Sequence, residues 1–190
     1  PYSIVKELIE NSIDAFSTKV EIYIKNGGLK SIIVKDNGIG IAKDDMKLAF
    51  ERHTTSKIDN KSDLFDIKTL GFRGEALPSI ASVSMLSASS ILKTSKNGYK
   101  LLIDAGKQIN FSKSPIQFGT KIKVENIFYN LPARKKFLKS PKTESLKILN
   151  IVKSYSLAHP DIEFTYFVDD KIVFKLPKSN LKSRMINVFG

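Results

Sequence analysis

Cysteine is absent from the 190 residues. That excludes a disulfide framework, a thiolate metal site and a cysteine nucleophile. Histidine is scarce: His53 and His159 stand far apart in sequence, so a histidine-rich metal centre has no support. No apolar run approaches the roughly 20 residues that span a bilayer, and a soluble chain is expected. A Walker-type Gly-x-x-x-x-Gly-Lys-Ser/Thr string is missing, as are internal repeats, low-complexity tracts and a signal-peptide pattern. The sequence opens on Pro1 and not on Met, and a piece of a longer protein is expected. Acidic residues are in deficit, 19 Asp and Glu against 31 Lys and Arg, for a net charge of +12. Such a balance favours polyanionic partners, nucleic acid first. The lysines are spread along the chain, so the charge equally fits a lysine-rich compositional habit.

What is present fills one domain. A 42% hydrophobic content suffices for a single core and is too little for two of ordinary size. From Ile4 to Phe16 the apolar residues Val5, Leu8, Ile9, Ile13 and Phe16 follow a helical period. Val20–Lys25 alternates apolar and polar, Asn26-Gly27-Gly28 is a turn signal, and Leu29–Lys35 reads as the returning strand of a hairpin. A helix is expected over Asp44–Arg52 with Asp44 as its cap, and a short one over Glu75–Ala81. Strands are expected near Val83–Ser89, Lys100–Ala105, Thr120–Glu125, Glu163–Val168 and Lys171–Leu176. Helices are expected over Pro132–Leu138 and Thr143–Leu157. The polar, weakly periodic stretch Thr54–Thr69 reads as a long loop. Helices and hairpins without a regular βαβ rhythm predict an α/β fold: a two-layer sandwich of a mixed, largely antiparallel sheet with helices on one face.

Three clusters carry chemistry. On the first helix Glu7, Glu10, Asn11 and Asp14 fall within an arc of roughly 100° opposite the apolar stripe, with no lysine on their face. Four such side chains at i, i+3, i+4 and i+7 suit a hard cation with one carboxylate left as a base. Alone, they equally make an acidic solvated face. Asp36-Asn37-Gly38-Ile39-Gly40 follows a strand directly. There Gly38 and Gly40 let a flat ligand approach, and a buried Asp36 can accept a hydrogen bond from an exocyclic amine such as that of adenine. Alone, such a string is more often a plain turn. Gly71-Phe72-Arg73-Gly74-Glu75-Ala76-Leu77 places glycines before a helix start, where exposed N–H groups and the helix dipole cradle phosphate. Thr54-Thr55-Ser56-Lys57 upstream adds hydroxyls and an ammonium.

These strings, in this order, resemble the motifs of the GHKL ATPases (Bergerat fold), which include gyrase B subunits, heat-shock chaperones, histidine kinases and MutL. Val5-Lys6-Glu7-Leu8-Ile9-Glu10-Asn11-Ser12-Ile13-Asp14-Ala15 resembles the MutL family specifically. So do Arg52-His53-Thr54-Thr55-Ser56-Lys57, Gly71 through Val83, and Phe128-Tyr129-Asn130-Leu131-Pro132-Ala133-Arg134-Lys135-Lys136-Phe137-Leu138. The likeness implies a Mg²⁺-dependent ATPase in which Glu7 is the general base. Asn11 would hold Mg²⁺, and Asp36 would read adenine with help from the hydroxyl of Thr120. Gly71, Phe72, Arg73, Gly74, Glu75, Ala76 and Leu77 would wrap the ATP phosphates, with Thr54–Leu77 as the lid. It implies a slow ATP-gated clamp and matchmaker in DNA mismatch repair, bacterial in type, cytoplasmic and homodimeric when whole, with mismatched DNA and a mismatch-recognition protein as partners.

The resemblance also implies that residues 1–178 form the nucleotide-binding domain, that 179–190 begin a second domain, and that this piece alone turns over feebly and dimerises poorly. Arg134, Lys135 and Lys136 are the local candidates for DNA contact, or equally a solvated basic helix face. Two other readings stay open: a non-hydrolysing adenine-nucleotide binding module, and a GHKL relative with another output such as a topoisomerase subunit or chaperone.

Overall fold

The computed structural model describes residues 1–51, 75–115 and 117–190. Helix α1 (Tyr2–Asp14) buries Ile4, Val5, Leu8 and Ile9. Strands β1 (Lys19–Lys25) and β2 (Ser31–Asp36) pair antiparallel around a single 3-10 turn, Asn26–Gly28. Two short helices, α2 (Asp45–Leu48) and α3 (Ala76–Ala81), precede β3 (Met85–Ile91), β4 (Gly98–Asp104), β5 (Lys107–Ser114) and β6 (Gly119–Glu125). Helices α4 (Pro132–Lys135) and α5 (Pro141–Ala158) lead to β7 (Glu163–Val168), β8 (Lys171–Leu176) and α6 (Leu181–Phe189).

The strands form one eight-stranded sheet in the order β5-β4-β3-β6-β2-β1-β7-β8. Every neighbouring pair is antiparallel except β1 with β7. That parallel pair needs a long crossover, which the chain between them supplies. Alternation puts Val20, Ile22, Ile24, Ile32, Val34, Ile122 and Val124 on one face, where they join Val5, Leu8 and Ile9 of α1 and Ile148 and Val152 of α5 in the core. The expected two-layer α/β sandwich of a mixed, largely antiparallel sheet with helices on one face is the observed architecture.

Some local expectations are corrected. Phe16 lies past the end of α1 and is 78% exposed, so it is not part of the apolar stripe. Glu10 does not stand opposite that stripe; it is buried between α1 and α5, and Lys6, one turn back, reaches it at 3.1 Å. A lysine therefore does share the acidic face. Asp44 makes no side-chain cap and is itself helical in backbone, and α2 ends at Leu48. Helix α5 begins two residues early because Ser140 caps it, accepting from the Thr143 N–H at 3.3 Å, with Pro141 at the first turn.

Two elements had no sequence expectation. Strand β5 is an edge strand whose residues are mostly exposed on both faces, so it lacks alternation. Helix α6 places Arg184 on its buried side. The guanidinium donates to the carbonyls of Ser156, Pro160, Ile162 and Pro177 at 2.7–3.0 Å and so ties α6 to α5 and the start of β7.

Candidate nucleotide site

Three neighbouring strands bring their ends to one place. Strand β2 ends at Asp36, β6 begins at Gly119-Thr120, and β3 ends at Ser90-Ile91. Asp36 is only 8% exposed. Its Oδ1 accepts from the Gly38 N–H at 2.9 Å and from the Thr120 N–H at 3.2 Å. Its Oδ2 lies 3.1 Å from the Ser12 hydroxyl of α1, which also lies 3.0 Å from the Leu8 carbonyl. A hydroxyl has one proton to donate, so Oδ2 keeps acceptor capacity. Burial pushes the Asp36 carboxyl up from its ordinary value, and the Gly38, Thr120 and Ser12 hydrogen bonds oppose the rise without cancelling it.

The loop after Asp36 is held at both ends. Asn37 Oδ1 accepts from the Thr18 and Lys19 N–H groups at 2.9 Å, and its Nδ2 donates to the Thr18 hydroxyl at 2.9 Å. The Ile39 N–H donates to the Ala15 carbonyl at 2.9 Å, tying the loop to the end of α1. Gly40 has φ +80°, and a Cβ there would lie 2.1 Å from the Ile91 carbonyl oxygen. Gly119, at φ +109°, would press a Cβ to 2.1 Å from the Asp36 carbonyl oxygen. Neither position can hold a side chain without moving backbone.

Ser90 completes the arrangement and was not legible as a site residue. Its Oγ accepts from the Ile41 N–H at 2.8 Å and lies 2.8 Å from the Thr120 hydroxyl and 3.0 Å from the Gly119 carbonyl. Ser12 was missed for the same reason: each serine acts through a partner distant in sequence. Thr120 therefore contributes an N–H to Asp36 and a hydroxyl to Ser90.

Glu7 and Asn11 share α1 with Ser12. At 1.5 Å per residue Glu7 sits roughly 7.5 Å along the axis from it. The Glu7 side chain is 36% exposed, so water reaches it, and its Oε1 lies 3.8 Å from Lys6 Nζ. Glu75 precedes α3, and Ala76 and Leu77 open it, with Leu77 packed against the core. Arg134, Lys135 and Lys136 are all exposed, at and after α4. His159 ends α5. Thr54, Thr55, Ser56, Lys57, Gly71, Phe72, Arg73 and Gly74, with His53 and most of the expected lid, lie outside the described residues.

Residues 1–124 match the family model described as histidine kinase-, DNA gyrase B-, and HSP90-like ATPase. The chain is also 37% identical to a solved Aquifex aeolicus MutL ATPase domain complexed with ADP, with a TM-score of 0.80, over 100% of this chain and 68% of that one. The chain belongs to this ATPase family, in its MutL branch. A solved N-terminal domain of a DNA repair protein superposes with a TM-score of 0.82 at 32% identity, over 56% of its length. Among whole proteins, the DNA mismatch repair protein MutL of Aquifex aeolicus (strain VF5) is 44% identical over all of this chain and 44% of its own length. That of Lactobacillus helveticus (strain DPC 4571) is 46% identical over 30% of its length. The chain thus spans less than half of these two MutL relatives.

Proposed function

We propose that this chain is the ATP-binding and slowly ATP-hydrolysing module of a cytoplasmic, homodimeric MutL-type mismatch-repair protein that acts with a mismatch-recognition protein on DNA. The observation that carries the reading is Asp36: a buried carboxylate, oriented by two backbone N–H groups, with acceptor capacity left on Oδ2. An exocyclic amine meets that acceptor well, whereas a carbonyl at the same place, as in guanine, meets repulsion. Without a Cβ, Gly38 and Gly40 let the loop close against Ala15 and Ile91 and so hold it beside Asp36.

The described residues contain no cluster of three or more His, Cys, Asp or Glu able to cage a metal. This suits Mg²⁺, which is content with one or two protein oxygens and takes the rest from phosphates and water. The Asn11 side-chain oxygen would be its protein ligand. Bound there, the ion would neutralise phosphate charge and orient the phosphates. Glu7 Oε would take the proton from the attacking water, which its partial exposure admits. Thr54, Thr55, Ser56, Lys57 and the segment Gly71, Phe72, Arg73, Gly74, Glu75, Ala76 and Leu77 are proposed to enclose the phosphates. Arg134, Lys135 and Lys136 are proposed as DNA contacts, through their exposed charge.

The test is binding of ATP and GTP, with and without Mg²⁺, to the wild type, Asp36→Asn and Glu7→Ala. Losing a charge-assisted hydrogen bond of about 1.5–3 kcal/mol predicts a loss of ATP affinity of roughly 10- to 150-fold in Asp36→Asn. Glu7→Ala should keep affinity and lose turnover. Equal ATP affinity of wild type and Asp36→Asn would overturn the adenine assignment. Unchanged turnover in Glu7→Ala would remove the base and favour a module that binds without hydrolysing.

A further inference from the structure

The sheet has a second face, turned away from α1 and α5. Lys35 and Asp36 are consecutive on β2, so their side chains point to opposite faces. Strand register fixes what stands beside Lys35: Glu21 on β1 to one side, and Lys121 on β6 to the other. Lys121 in turn is opposite Ser89 on β3, and Ser89 opposite Lys100 on β4. Neighbouring strands lie about 4.8 Å apart, which brings the three lysines within about 14 Å along one row. They line a trough of about 650 Å³, flanked in the next row by Tyr23 and Ile33.

Lys35 and Lys121 are directly opposed, an arrangement that costs stability. Glu21 offsets part of that cost, at 3.3 Å from Lys35, but it also lies 3.3 Å from Lys19. Among the described residues neither Lys100 nor Lys121 has a carboxylate within 4 Å. The row is therefore cationic and under-compensated, in a chain whose net charge is already +12.

We propose that this trough binds a single strand of nucleic acid through its phosphates, on the sheet face opposite the nucleotide pocket. Ammonium groups in line, with a serine hydroxyl between them, suit a phosphodiester chain. Lysine acts there as a point charge and reads no sequence. Tyr23 and Ile33 offer the apolar flank that sugars and bases need. A cavity of this volume takes a molecule the size of one or two nucleotides, so a strand lies in it while a duplex rides above. The surface is separate from Arg134, Lys135 and Lys136 and independent of the proposed nucleotide chemistry.

The experiment is fluorescence anisotropy of a labelled oligo-dT with the whole chain across a salt series. Wild type is compared with Lys100→Glu/Lys121→Glu and with Arg134→Glu/Lys135→Glu/Lys136→Glu, each checked by circular dichroism. At about 0.7 per neutralised phosphate, the double variant should lower the log–log salt slope by about 1.4 and weaken low-salt binding roughly tenfold or more. The triple variant, at the residues proposed as contacts for mismatched duplex DNA, should lower the oligo-dT salt slope by less than the double variant does. Full binding by the double variant, or loss confined to the triple variant, sinks the proposal. Duplex DNA of the same length that binds more tightly with the same lysine dependence overturns the choice of a single strand. Polyglutamate that displaces oligo-dT at equal charge concentration reassigns the trough to an acidic protein. If the charge reversal unfolds the chain, Lys100→Ala/Lys121→Ala decides by the same slope.

Discussion

The Tyr155 hydroxyl on α5 donates to Oε1 of Glu10 on α1 at 2.5 Å, and Lys6 Nζ reaches both oxygens of the same carboxylate, Oε1 at 3.1 Å and Oε2 at 3.2 Å. This joins the two long helices by a charge-assisted bond. Burial, then the bond to Glu10, then the charges of Glu10 and Glu7 raise the phenol well above its ordinary range. Glu10 also competes with Glu7 for Lys6, which lies nearer Glu10.

Tyr155→Phe removes the donor and leaves Lys6 as the carboxylate's partner. A bond to a charged group is worth about 1.5–3 kcal/mol, and the retained lysine limits the loss toward the lower end. For a chain of this size that lowers Tm by about 3–6 °C. A thermal melt within one degree of wild type would show that the contact contributes nothing.

Asp36→Asn should stabilise the ligand-free chain while it weakens nucleotide binding. Asn Oδ1 can accept from Gly38 and Thr120, and its Nδ2 can donate to the Ser12 hydroxyl, so no partner is orphaned. The folded-state carboxyl is raised above its unfolded value. Folding is therefore unpenalised below the unfolded pKa and loses stability as pH rises through the folded one. The variant's advantage in urea melts should be negligible near pH 3.5 and largest near pH 7. An advantage that does not change with pH would locate the effect elsewhere.

Arg184→Met breaks four hydrogen bonds to carbonyls and leaves those acceptors without their donor. The side chain is fully buried, and leaving a buried acceptor without its donor costs about 1–3 kcal/mol. Arg184→Lys should recover only part, because one ammonium cannot match a fork spread over four carbonyls. Hydrogen exchange should show α6 opening in Arg184→Met; protection equal to wild type there would refute the tether.

Phe16→Gly should raise stability. Phe16 sits at φ +57° and is 78% exposed, so its ring gains little from burial. A left-handed backbone costs a non-glycine residue about 1–2 kcal/mol, and the added chain entropy of glycine returns about half of that. The net is a Tm gain of about 1–4 °C, read by differential scanning; a fall would mean the ring packs on something in solution.

Much of this was legible because it is periodic or local. Alternation in Val20–Lys25 marks a strand buried on one face. Asp36-Asn37-Gly38 bonds largely to itself and to its neighbours, so its string carries its shape. Ser12 and Ser90 were not legible, because a serine gives no pattern and its partner lies elsewhere in the chain. Helix α6 was hidden by Arg184, a charged residue on the side that faces inward. Glu10 was misplaced because a helical wheel ranks it with Glu7 and cannot see Tyr155 arriving from another helix.

The parallel pairing of β1 with β7 has a consequence for synthesis. Strand β1 is synthesised well before β7, so it finds one of its two neighbours only after every strand of the sheet except β8 has been made. Until then β1 is an open edge of alternating isoleucine and valine, able to pair with another nascent chain. Folding of the sheet centre must wait for the C-terminal third, which raises contact order and slows closure. A polypeptide ending before Glu163, though it holds all of Asp36, Gly38, Gly119 and Thr120, should therefore aggregate and not fold into a smaller nucleotide binder.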